Sequence, residues 1–304
     1  MGKVVITGGI GFIFSHVTEY LLDKGYEVVV IDNLSDGSHP ELLPRLGANP
    51  RFTFAQLNVH GSETIDFIIN ENPDYIIHAA AYSDVDKSIK EPYAILKANC
   101  QANLNVFEAA RNIPDLKKLV YVSTDEVYGE CEHRKKEEEI LFPKNPYSMS
   151  KAHGSLLRLA YDNTYKDLKD KTAETRFCNV VGERQDTRKV LPRIRHCLLT
   201  GEPMPLHNSG GGYREYIWVD NIPPAVELIM LKGDRTYNVT NNDGFTVNEL
   251  VSLAEQVTGK TINKVDAERP GMDLKYQMDS SRVRELGWEP QTTFLEGITK
   301  YLHD

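Results

Sequence analysis

The sequence predicts an α/β fold: a doubly wound parallel sheet followed by a smaller C-terminal lobe. Three observations predict it. Residues 3–7, 27–31, 74–79 and 117–124 are short, almost wholly apolar runs rather than alternating ones, as strands covered on both faces require. Segments of helical period, residues 12–24, 62–70 and 92–112, separate them, and strand–helix alternation of this kind builds parallel sheets. After one more strand at 173–179 the alternation gives way to irregular segments rich in Arg and Asn, which is the expected composition of a lobe that holds a ligand.

The order within the first unit is specific. A strand ending at Thr7 runs into Gly8-Gly9-Ile10-Gly11, then a helix closed by Gly25, then a strand ending in Asp32. Strand, glycine turn, helix, strand and acid is the dinucleotide-binding, Rossmann-type arrangement. Gly8 permits the tight turn and Gly11 the approach of backbone to a pyrophosphate, while the helix N-terminus supplies N–H donors. Asp32 is then placed to accept from the adenosine ribose, which favours NAD over NADP because a carboxylate repels a 2′-phosphate. Position 14 departs from the pattern, carrying Phe14 where a small residue would pack helix on strand.

Beyond a strand at 51–58, the next buried strand ends in Ala79, Ala80 and Ala81, whose small side chains suit either a cofactor lying across the strand tips or ordinary close packing. Asn99 and Asn103 lie on one face of the following helix, as packing or polar contacts. The strand at 117–124 then meets Thr124, Asp125 and Glu126. Ligands of open parallel sheets bind beyond the carboxyl strand ends, so two acids there can meet a substrate; the same two acids can also cap a turn. Residues 130–139 carry dense charge of both signs and read as a solvated loop. Pro146 suits a helix start, and Tyr147 and Lys151 fall one turn apart on it. A lysine ammonium there lowers a phenol from near ~10 towards neutrality, making it a base for a hydroxyl proton; a surface Tyr/Lys pair has the same spacing. In the last third, Arg184, Arg188, Lys189, Arg214 and Arg269 are candidates for a phosphorylated ligand.

Composition narrows the class. The 304 residues are 40% hydrophobic and 26% charged, ordinary for a globular chain, and the net charge of −9 argues against a general nucleic-acid or membrane-surface role. Four cysteines far apart and nine histidines without ligand spacing point to no metal and no disulfide framework. A strand starting two residues after Met1 leaves no room for a signal peptide, so a cytoplasmic setting is the expectation.

Together these residues resemble the extended short-chain dehydrogenase/reductase superfamily, through Thr7-Gly8-Gly9-x-Gly11-Phe12-Ile13 and Tyr147-x-x-x-Lys151. Within it they resemble the nucleotide-sugar 4,6-dehydratases acting on dTDP- or UDP-glucose, through Ser123-Thr124-Asp125-Glu126-Val127-Tyr128-Gly129, Asp86-Lys87-Ser88-Ile89 and Arg269-Pro270-Gly271-Met272-Asp273. The resemblance implies NAD as cofactor, touching Gly8, Gly11, Phe12, Ile13, Asp32, Asn33, Asn58, Val59, Ala79, Ala80, Ala81, Asn99, Tyr147 and Lys151. It implies a nucleotide-sugar substrate held by Ser83, Thr124, Asn179, Lys189, Pro205, His207, Arg214, Asn242 and Arg269. The implied catalytic set is Thr124, Asp125, Glu126, Tyr147 and Lys151. Tyr147 takes the 4-hydroxyl proton as the C4 hydride passes to NAD, Glu126 takes the C5 proton, and protonated Asp125 serves the departing 6-hydroxyl. A 4-epimerase or uronic-acid decarboxylase would share the Tyr147/Lys151 oxidation without the acid/base pair, and a non-catalytic NAD(H)-binding protein would need neither. The implied division is a cofactor domain of residues 1–182 and 213–242 and a substrate lobe of 183–212 and 243–304. The implied assembly is a homodimer pairing the helix at 92–112 with the one starting near Tyr147.

Overall fold

In chain order the first unit runs β1 (Lys3–Thr7), α1 (Phe12–Asp23), β2 (Glu27–Asp32), α2 (Leu43–Gly47), β3 (Phe52–Gln56), α3 (Glu63–Glu71) and β4 (Tyr75–His78). It continues through α4 (Val85–Lys90), α5 (Pro92–Arg111), β5 (Lys118–Thr124), α6 (Pro146–Thr164), β6 (Thr172–Phe177) and β7 (Asn179–Val181). The remainder is α7 (Val190–Thr200), β8 (Met204–His207), β9 (Tyr213–Trp218), α8 (Ile222–Lys232), β10 (Thr236–Val239), β11 (Asp243–Thr246), α9 (Val247–Thr258), β12 (Lys264–Ala267), α10 (Ser281–Glu285) and α11 (Phe294–His303). The structure, a computed structural model, describes residues 1–267 and 275–303.

Seven strands form one sheet in the order β10-β6-β5-β4-β1-β2-β3, every neighbouring pair parallel. This is the doubly wound Rossmann-type sheet, extended by one strand. Both faces are covered, which explains the unbroken apolar runs. On one side α1 and α8 pack Phe14, Val17, Leu21, Ile222, Val226 and Ile229 against Val4, Ile6, Val28 and Val30. On the other, α3, α5 and α6 bring Ile68, Val106, Phe107 and Tyr161 onto Val5, Val29, Ile76 and Tyr121. A separate cluster of Leu191, Ile194, Tyr216, Trp218, Leu250, Phe294 and Ile298 forms the core of the smaller lobe.

Three local outcomes differ from the pattern in the sequence. The strand expected at 173–179 is two strands: Phe177 is the last residue in the main sheet, and Asn179–Val181 pairs instead with Tyr213–Trp218 of the lobe. The charged run at 130–139 is a strap rather than a solvated loop. Cys131 N–H donates to Lys275 O at 3.1 Å and Lys135 N–H to Gln277 O at 3.0 Å, while Arg134 pairs with the buried Glu215. Phe14 is 5% exposed and sits in the α1/α8 core, so the close approach expected from a small residue there is made elsewhere. Gly9 provides it: a Cβ there would meet Val30 Cγ2 at 2.7 Å, and Thr18 Oγ1 donates to Gly9 O at 3.0 Å.

Candidate active site

The carboxyl end of β5 opens into a single 3₁₀ turn, residues Asp125–Tyr128. Thr124 caps it, its hydroxyl oxygen accepting from Glu126 N–H at 3.4 Å and its proton going to Asp125 Oδ1 at 3.0 Å. The cap is therefore Thr124 and neither acid: Asp125 and Glu126 form the first two positions of the turn itself. Asp125 is 4% exposed, and its Oδ2 is buried with no hydrogen-bond partner among the described residues. Burial first, then the charge of Glu126, pushes its carboxyl up to about 7. Glu126 accepts a hydrogen bond from Asn145 Nδ2 at 3.0 Å.

Asn145 also begins α6, where its side chain and that of Ser148 form a reciprocal capping box. The helix can lie close against β5 because residue 154 is glycine: a Cβ there would stand 2.1 Å from Tyr121 Cζ. Tyr121 O–H donates to Lys151 O at 3.0 Å across this contact. Tyr147 and Lys151 are both buried. Lys151 Nζ donates to Val122 O at 2.9 Å and lies 5.5 Å from the Tyr121 ring centroid. Burial lowers its pKa to about 8, with Glu174 opposing. Tyr147 moves opposite to the expectation drawn from the lysine one turn away. Burial and then the charges of Glu126 and Asp125 push the phenol well above its ordinary value, and hydrogen bonding with Thr124 only partly offsets them. Redox and acid–base candidates therefore share one electrostatic environment.

On the cofactor side, Gly8 has φ +74, and a Cβ would stand 2.9 Å from the Ala80 backbone, so the turn abuts the end of β4. Gly11 caps α1, whose first turn carries no acidic residue, and Phe12 and Ile13 follow as partly buried residues. An anion finds unopposed N–H groups there, and the residues present fit a dinucleotide. Thr7 Oγ1 accepts from the Ala79 and Ala80 N–H groups, both at 3.2 Å, and meets His78 Nδ1 at 2.8 Å. Asp32 ends β2 as expected, 5% exposed, with its oxygens accepting from Ile10 N–H, Leu34 N–H and Ser38 O–H. It braces the glycine turn and the loop after β2. Asn33 Nδ2 donates to Asn58 Oδ1 at 2.8 Å, bringing those two exposed-edge residues together beside buried Val59. Asn99 is buried on α5, where it bonds Tyr82 N–H, Tyr82 O and Ser150 Oγ. Its visible role is to tie the loop after Ala81 to α6.

The lobe residues are more dispersed. Arg214 lies 4.5 Å from the Tyr276 ring centroid, and its charge reaches Asp125. Asn179 is exposed at the start of β7, and Lys189 is exposed at the N-cap of α7. Pro205 and His207 lie on β8, where His207 Nδ1 is 3.3 Å from Ala267 O. Asn242 binds Arg134 on the strap, and Ser83 is exposed ahead of α4. Arg269 lies outside the described residues. Arg184 pairs with Glu19 on α1, and Arg188 with Asp186 and Asp84. Sequence reasoning missed Asn145, whose signal was its place before Pro146, and Glu174, hidden in a strand.

Sheet, glycine turn and Tyr/Lys helix define a nicotinamide-dinucleotide-binding protein of the short-chain dehydrogenase/reductase type. The chain belongs to the NAD dependent epimerase/dehydratase family, whose model matches residues 4–240, and NAD is its cofactor. Among curated relatives it is 32% identical to the low-salt glycan biosynthesis protein Agl12 of Haloferax volcanii, over 97% of this chain and 96% of that one. Among solved structures it matches DesIV, a dTDP-glucose 4,6-dehydratase of Streptomyces venezuelae with NAD bound, at 31% identity and TM-score 0.90, covering 99% of this chain and 96% of that one. It matches a Thermus thermophilus UDP-glucose 4-epimerase in complex with NAD at 30% identity and TM-score 0.90, covering 99% and 98%. The family makes it an enzyme; dehydratases and epimerases both stand among its relatives.

Proposed function

We propose that this enzyme is a nucleotide-glucose 4,6-dehydratase that converts dTDP- or UDP-glucose to the 4-keto-6-deoxyglucose nucleotide and water. The observation that carries the reading is Asp125, a buried carboxyl raised to about 7 with one oxygen that has no hydrogen-bond partner among the described residues, adjacent in sequence to Glu126 and beside Tyr147. Epimerisation at C4 needs a base and a dinucleotide; it has no use for an acid and a base of unequal strength at the end of β5. Bound NAD supplies an acceptor for the C4 hydrogen and its electron pair, and later the donor to C6.

The residues divide the remaining work. Tyr147, with Lys151 and Thr124 beside it, takes the proton of the 4-hydroxyl. The C4 ketone acidifies C5, and Glu126 removes the C5 proton. The C5 electron pair forms the C5–C6 double bond, the C6–O bond breaks, and Asp125 gives its proton to the departing hydroxyl, which leaves as water. Glu126 then returns its proton to C5. Residues 1–182 and 213–242 would hold the cofactor, and 183–212 and 243–304 the nucleotide sugar; β7 and β9, which pack in the core of the smaller lobe, would lie at the seam, with Asn179, Lys189, Arg214 and Arg269 toward the diphosphate. A second copy of the chain is the proposed partner. Met149, Leu156 and Leu159 of α6 are exposed beside an apolar groove formed with Leu141 and Pro143. Sedimentation giving a concentration-independent monomer would remove that assignment.

The test of function is incubation with UDP-glucose and with dTDP-glucose, followed by product mass. Loss of one water is expected for at least one nucleotide. Unchanged mass with inverted C4 would make the enzyme an epimerase, and no turnover of either sugar would leave a binding protein.

A further inference from the structure

Asn145 sits between the two halves of the site and touches both. Its Oδ1 accepts from Ser148 N–H at 2.8 Å, the N-cap bond that starts the helix of Tyr147 and Lys151. Its Nδ2 donates to Glu126 Oε2 at 3.0 Å. The amide cannot be turned round without losing both bonds, since Oδ1 would then face a carboxylate and Nδ2 an N–H donor. The chain leading into Asn145 is held to the same turn by backbone, with Phe142 N–H donating to Val127 O at 2.8 Å. Gly129 allows that approach: at φ +69, a Cβ there would stand 2.4 Å from Phe142 O.

We propose that Asn145 is a positioning residue that aims the Glu126 carboxylate at the C5 proton, registering it against Tyr147 through the opposite end of one side chain. This rests on the dehydratase reading and deepens it. An N-cap needs only an acceptor, which Ser or Asp supplies as well as Asn does. The donor toward Glu126 is what the amide adds. Serine keeps the cap and removes the amide N–H, its shorter side chain leaving the hydroxyl short of the Glu126 carboxylate. Aspartate keeps both cap and shape but places a second carboxylate against Glu126.

The test uses the full-length enzyme with dTDP-glucose and UDP-glucose, each unlabelled and deuterated at C5. For Asn145→Ser, melting temperature and C4 oxidation, read in a single turnover as reduced-nicotinamide absorbance, should stay near wild type. Water release should fall on the order of ten- to a hundredfold, as expected for loss of a hydrogen bond to a charged group. The C5 deuterium isotope effect should rise, because proton removal becomes slower relative to the other steps. Asn145→Asp should behave alike, and serves as the readout if the serine variant folds poorly. Water release within twofold of wild type with an unchanged isotope effect would overturn the inference while leaving the function standing. Oxidation and water release falling in equal proportion would reduce Asn145 to a helix cap. A wild-type enzyme that releases no water from either nucleotide would overturn the functional reading, and this role with it.

Discussion

Thr124 and Asp125, consecutive residues at the end of β5, share a hydrogen bond that satisfies one carboxylate oxygen, while the other oxygen is buried with no partner among the described residues. An ionised carboxylate left in that state carries its full desolvation cost, so the proton stays on until about pH 7. Asp125→Asn should lose roughly two to four orders of magnitude in water release, the usual range for a general acid, and retain C4 oxidation. Stability should report the same proton. The native carboxyl binds it more tightly than the unfolded chain, whose value is 3.8, so wild type loses stability as pH rises from about 4 to 7. The asparagine variant lacks that slope. Urea midpoints at pH 5 and pH 8 should therefore shift in its favour by roughly 2–3 kcal/mol. Parallel profiles would mean that Asp125 is ionised throughout.

Tyr147 and Lys151 must be treated as one titrating unit. The form able to take a hydroxyl proton, tyrosinate beside an ammonium, holds the same number of protons as phenol beside neutral lysine. Either arises by losing one proton from the fully protonated pair, and the easier loss is set by Lys151 at about 8. Single-turnover C4 oxidation should accordingly rise with pH through about 8 and then level off. In Lys151→Met the phenol keeps its raised value, so the rate should be lower by roughly a hundredfold or more near neutrality and still climbing at high pH. A variant that levels off at the same pH as wild type would assign the inflection to another group.

Much of this was readable in the sequence because local rules carry it. Continuous apolar strands, the turn at Gly8–Gly11, the end of β5 at Thr124 and the start of α6 at Pro146 all depend on residues near in sequence. What was not readable depends on partners far away. Residues 130–139 have the composition of a solvated loop, yet Arg134 finds Glu215 and Asn242, and Glu137 accepts from Asn238 N–H. Phe14 breaks the small-residue rule, but Gly9 makes the approach that the rule protects. The shift of Tyr147 was misjudged for the same reason: the lysine one turn away is visible in a helix pattern, whereas burial and two acids from another element are not.

His78 gives a stability prediction of opposite sign. Thr7 Oγ1 accepts from two backbone N–H groups, so its own proton goes to His78 Nδ1, leaving His78 Nε2–H to donate to Asn103 Oδ1 at 3.0 Å. The ring is neutral, and burial, then Lys151, lowers its pKa to about 3. Its contribution is complete above about 6.5 and is lost as pH falls toward 3, because the unfolded chain takes up the proton first. Wild type should lose about 2 kcal/mol from this group between pH 6.5 and pH 5, and His78→Gln should lack that increment. Urea midpoints at pH 7.5 and pH 5 measure it. Equal losses in both proteins would show that His78 is protonated in the native state.

Tyr128, the last residue of the turn that bears Asp125 and Glu126, is anchored from behind. Arg176 Nη1 donates to its hydroxyl at 2.6 Å, and the hydroxyl donates to Asn238 Oδ1 at 2.9 Å. Arg176 in turn donates to Glu174 Oε1 at 2.7 Å, which also accepts from Ser155 one turn beyond Lys151 on α6, at 2.6 Å. One buried carboxylate thus connects the turn of the acids with the helix of the Tyr/Lys pair. Tyr128→Phe keeps the ring but leaves a buried guanidinium N–H and the Asn238 oxygen unpaired, which should lower stability by roughly 2–3 kcal/mol. Glu174→Gln leaves Arg158 and Arg176 without their shared counter-charge and should cost more, roughly 3–5 kcal/mol. If the anchor also positions the turn, Tyr128→Phe should slow water release more than C4 oxidation in the same single-turnover assay. Equal slowing of both steps, with the stability loss intact, would confine the anchor to folding.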